Sequence, residues 1–130
     1  MRALATYHFG HLPVWVKGNA YFGGASVSKH EEHGLIRADV KAKAELTEKE
    51  GKYYLNTNVY SLLEGFSNEL INTETLGLAF EPEQRFENPD ETPIVFDEDY
   101  FGERRGDTIL PGPFAGLTEE EVKVAEFRMA

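Results

Sequence analysis

The clearest pattern along the chain lies between Ile36 and Tyr60. Ile36, Ala38, Val40, Ala42, Ala44 and Leu46 alternate with Arg37, Asp39, Lys41, Lys43 and Glu45. A period of two puts one set on each face of a strand, whereas a helix would smear the apolar set around its circumference. The Ala, Lys and Glu content favours a helix by propensity, but the pattern outweighs it. Thr47–Lys52 reads as a turn in which Gly51 supplies a positive φ. Beyond it Tyr53, Leu55, Thr57 and Val59 share one face, and Tyr54, Asn56, Asn58 and Tyr60 the other. The expectation is a long antiparallel hairpin with one packed side and one wet side.

Upstream, Val14, Trp15, Val16, Tyr21, Phe22 and Val27 are punctuated by Gly18 and by Gly23-Gly24. This predicts two short strands about a glycine turn, or one strand with a bulge. Ser61–Asn72 fits a short helix interrupted by Gly65. Further strands are expected at Thr75–Phe80 and Pro93–Phe96, and long loops from Glu81 to Pro113, where Pro, Gly and acids concentrate. Near the end, Thr118 followed three residues later by Glu121 forms a capping box that predicts a final helix. The fold class is therefore mainly β (or α+β): an antiparallel sheet forming a sandwich or half-barrel, with one or two short helices including a C-terminal one.

Composition narrows the function classes. The 130 residues fit a single globular domain, 1–130. Cysteine is absent, which excludes disulfides, thiolate metal sites and a cysteine nucleophile. No signal peptide or spanning stretch is read, so the expectation is a soluble cytoplasmic protein without a membrane role. The net charge of −10 repels phosphate backbones and argues against nucleic acid as a partner. Oligomeric state is not encoded in any pattern.

All four histidines fall in two pairs of equal spacing, His8/His11 and His30/His33. Imidazoles ligate divalent transition metals, and Glu31 or Glu32 would complete a shell. A spacing of three converges on a tight turn but not on a regular strand. The plainer reading is of ordinary surface histidines. Asp97-Glu98-Asp99 with Gly102 begins like a calcium loop, but Phe101 and Thr108 stand where ligands are needed, so a solvated acidic loop is expected. Glu81, Glu83, Glu87 and Asp90 crowd one region beside Arg85, the raw material of an acid–base pair. Trp15, Tyr21, Tyr54 and Tyr60 would line a cavity or stack a sugar, although core packing is the common use of such residues.

Three functions follow in order. The first is a binding or accessory module on a β scaffold, with a protein or small-molecule partner. The second is a metal-dependent enzyme using His8, His11, His30 and His33. The third is a barrel holding an apolar ligand. Whether the protein is an enzyme is left open by the sequence.

Overall fold

The computed structural model describes residues 13–127. Among them lie seven strands and two one-turn helices. In chain order these are β1 (Ala20–Phe22), β2 (Leu35–Arg37), β3 (Ala44–Lys49), β4 (Lys52–Thr57), α1 (Val59–Leu62), β5 (Asn68–Glu69), α2 (Thr73–Leu76), β6 (Thr108–Ile109) and β7 (Glu121–Glu126). The protein is mainly β, as its alternating pattern requires. Among the described residues no helix is long and apolar enough to cross a membrane.

The main sheet has the order β3-β4-β7, all antiparallel. Its hairpin closes through Glu50 and Gly51, both at positive φ, 55° and 78°. Two consecutive residues of that kind give the tight turn whose twist matches its flanking strands. Leu46 pairs with Leu55 and Thr47 with Tyr54. On the other edge of β4 the register with β7 shifts between Tyr53 and Tyr54, a bulge that bends the strand.

Three expectations are corrected by the structure. The run from Ile36 to Leu46 is not one strand: the chain turns at Ala38–Val40, and β3 starts only at Ala44. Alternation persists across that turn because period two records a face and carries no direction. The C-terminal helix is also overturned within the described residues. Glu121–Glu126 forms β7, where Val122 pairs with Leu55 and Ala125 with Tyr53. Cross-strand packing of valines outweighs a single capping box. Likewise, the strand expected at Thr75–Phe80 begins as α2, because Asn72 accepts from the Thr75 amide and completes a capping box. The long loops from Glu81 to Pro113 are present, relieved only by isolated bridges and β6.

β1 and β2 depart from the antiparallel rule. They pair in parallel, Ala20 with Leu35 through Phe22 with Arg37, and a bridge between Val16 and Glu31 keeps the same offset. The β5–β6 ladder is antiparallel, Asn68 with Ile109 and Glu69 with Thr108.

The core is thin. Leu63 and Phe114 are the buried apolar side chains, at 1% and 3% exposure, among the described residues. Phe114 stacks on Phe101 at 5.2 Å and meets Tyr60 and Tyr100 at 5.9 Å each. Tyr60 Oη accepts from the Phe114 amide, and Tyr100 Oη donates to the Val124 carbonyl. Leu46, Phe80 and Phe96 each remain more than half exposed.

Candidate functional site

The parallel pairing of β1 and β2 folds the segment His30–His33 back over Val16–Asn19. There the Glu31 carboxylate becomes the centre of a knot. It accepts from the Gly18 amide at 2.8 Å, the Asn19 amide at 3.3 Å and Asn19 Nδ2 at 2.8 Å. It also accepts from Tyr21 Oη at 2.9 Å and the His33 amide at 3.3 Å. Gly18 is required at this place. Its φ is +78°, and a Cβ there would lie 2.3 Å from Asn68 Oδ1.

Desolvation pushes the Glu31 carboxyl up, but the bonds from Asn19, Tyr21 and His33 outweigh it and hold the group at about 2. The Tyr21 hydroxyl is correspondingly raised, by desolvation and by its bond to Glu31. Because the folded value lies below the ordinary 4.5, this bonding stabilises the fold fully above that pH and is lost as pH falls towards 2. Glu31→Gln should therefore be less stable at neutral pH, with a flatter loss of stability between pH 4.5 and 2. Chemical denaturation across that range checks it. Parallel profiles for the two proteins would contradict the knot.

The histidines are placed as follows. His8 and His11 lie outside the described residues. His30 is exposed on the turn, its amide donating to Ser28 Oγ. His33 stacks on Phe66 at 5.1 Å, and its Nε2 sits 3.1 Å from the Ser67 carbonyl. A carbonyl only accepts, so Nε2 carries the proton in that contact. Among the described residues no three His, Asp or Glu side chains gather in a way that would hold a metal. The lone pairs of Glu31 that would complete a shell are engaged by five donors.

The four aromatics expected to share a patch occupy separate settings. Tyr21 serves Glu31, Tyr54 lies under Lys49 Nζ at 5.5 Å, and Tyr60 packs on Phe114. Trp15 is 67% exposed and opens onto a cleft. The acidic loops serve structure. Asp99 accepts from the amides of Phe101, Glu103 and Ala115, and the Ala115 bond leads in holding its carboxyl below the usual range. Asp97 pairs with Arg104, and Asp90 accepts from Thr92. Arg85 and Glu87 stand 3.8 Å apart on the surface.

The Trp15 cleft has a volume of about 420 Å³, within the ~300–1,000 Å³ range of small-molecule sites. Trp15 and Phe86 supply aromatic surface, and Ile71 and Leu76 supply aliphatic surface. Lys17, Glu32, Glu69 and Thr75 bring the polar groups. Separate structural features bring them together. Trp15 and Glu32 are brought together by the Val16–Glu31 bridge, where the Glu32 amide donates to the Val16 carbonyl. Glu69 belongs to β5 and binds Lys17 Nζ at 3.0 Å. Phe86 is held by its carbonyl, which accepts from Thr73 Oγ1 at 2.7 Å. Sequence reading reached Trp15 and Glu32 but not Lys17, Glu69 or Phe86. These residues come from segments far apart in the chain, and no spacing links them.

Fold and cleft together define a small β scaffold with a ligand-sized depression that mixes aromatic and carboxylate groups. A solved chain described as the complex of XylC with xylose matches it with a TM-score of 0.74 at 27% identity. The match covers 87% of this chain and 18% of that one, so the chain spans less than a fifth of the protein it resembles. No family model matches the chain, and no curated protein matches it.

Proposed function

We propose that this chain is a carbohydrate-binding module whose cleft takes a small neutral sugar of the pentose kind. The observation that carries this reading is the juxtaposition of exposed Trp15 and Phe86 with Glu32, Glu69 and Lys17 in one cleft. A pyranose has an apolar C–H face and a polar edge of hydroxyls. The first suits an indole face, because an aromatic ring offers a large rigid apolar surface. The second suits carboxylates, which accept hydroxyl protons in charge-assisted bonds, while an ammonium donates to hydroxyl oxygens. The likeness to a protein solved with xylose supports the same ligand class.

In this reading Trp15 is the stacking platform, Glu32 and Glu69 are acceptors, and Lys17 orients Glu69 through their ion pair. The reading is one of binding, and no bond-making step is assigned to any residue. Calorimetric titration with xylose tests it. Wild-type protein should bind saturably, and Trp15→Ala should lose about tenfold or more in affinity, the scale on which truncating an aromatic anchor acts. Equal binding by both proteins would remove the cleft from the account.

A further inference from the structure

We infer that the cleft is one lobe of a longer groove, and that its ligand is a neutral chain of sugar units rather than a single ring; this rests on the carbohydrate reading above. A second depression of about 230 Å³ adjoins the first and shares three of its lining residues, Lys17, Glu69 and Ile71. The boundary between the lobes is thus the Lys17–Glu69 ion pair, whose side chains are 52% and 58% exposed. A pair so open to water is weakly held, and a ligand lying along the groove can displace or bridge it.

The far lobe is firmly built. β5 and β6 pair Asn68 with Ile109 and Glu69 with Thr108, which sets Ile109 beside the boundary. Arg105 ties down the opposite wall, donating to the carbonyls of Leu110 at 3.3 Å and Gly112 at 3.0 Å. Its chemistry differs from that of the Trp15 lobe. Ile109, Leu110 and Pro111 give it an aliphatic surface, and it has no carboxylate except the shared Glu69. Such a lobe holds the C–H face of a second ring with little selection among hydroxyls, as an extension subsite would.

Charge decides the class of chain. Lys17 is matched by Glu69, and Glu32 adds a further carboxylate to the near lobe, so a uronic acid entering there meets like charge. The chain as a whole carries a net charge of −10. A neutral oligosaccharide fits both facts, and an acidic one meets repulsion.

The test is a length series on the whole protein by amide-resolved NMR titration, using xylose and its β-1,4-linked dimer and trimer as probes. From monomer to trimer the affinity should rise about tenfold or more. The amides of Ile109 and Gly112 should move with the trimer and stay still with xylose. Ile109→Trp, which fills the far lobe, should keep xylose binding and lose the gain with length. A trimer that binds no tighter than xylose, with Ile109 and Gly112 unmoved while the Trp15 indole responds, overturns the groove and leaves the single-sugar reading intact. No response to any of the sugars overturns both. Should Ile109→Trp fail to fold, the wild-type length series and its two amide reporters decide the question alone.

Discussion

Phe114→Ala should lower stability by about 3–5 kcal/mol, the range for removing a buried aromatic ring. Phe114 does several jobs at once. Its ring is 3% exposed and contacts Tyr60, Tyr100 and Phe101. Those partners tie the Asp97–Arg105 loop to the main sheet, since Tyr100 Oη reaches the β7 carbonyl of Val124. Truncation removes the contacts that Phe114 makes with three rings. Against a total stability of ~5–15 kcal/mol for ordinary domains, and in a chain with so thin a core, the loss is a large fraction. Urea denaturation measures it. A change below about 1 kcal/mol would show that the Phe114 cluster is not a stabilising core.

Thr73→Val is the second large effect, and it joins stability to the site. Thr73 is 2% exposed. Its hydroxyl donates to the Phe86 carbonyl and accepts from the Ile94 amide, both at 2.7 Å. Valine keeps the shape and deletes both bonds, leaving a carbonyl and an amide without their partner. The cost should be about 1–3 kcal/mol. Phe86 forms one wall of the cleft, so loosening its backbone should also weaken sugar binding under conditions where the variant remains folded. Denaturation and titration of the same variant separate the two effects. Unchanged affinity in a destabilised protein would show that Phe86 is not a wall the ligand feels.

Much of the main sheet was legible because its signals are local. Tyr53–Thr57 alternates, Gly51 stands where positive φ is needed, and the two strands pair next to their own turn. The errors arose where local and distant preferences compete. Thr118 and Glu121 have the spacing of a capping box, yet Val122 and Val124 also alternate with Glu121 and Lys123, and β4 offers that alternation an edge to join. The parallel pairing of β1 with β2 could not be anticipated from glycines alone, since a glycine turn signals a reversal as readily as a crossover.

The site was legible only in fragments. Trp15 was visible as a residue that could stack a sugar, but in company with Tyr21, Tyr54 and Tyr60, which the fold places in other settings. The hydrogen bonds of Glu31 were not visible in the sequence, because its donors Gly18, Asn19 and Tyr21 come from across the parallel ladder. Lys17, Glu69 and Phe86 carry no mark at all in the sequence. They line one cleft because β5 lays Glu69 against Lys17 and Thr73 holds the Phe86 carbonyl.

In the proposed reading a sugar binds against Trp15. This chain has one tryptophan, so its single indole N–H resonance is a reporter for that place and no other. Titrating labelled protein with xylose should move the indole signal along a saturating curve, together with the amides of Glu32, Glu69 and Phe86. An indole resonance that stays fixed up to saturating sugar, in protein that is otherwise folded, would contradict the account.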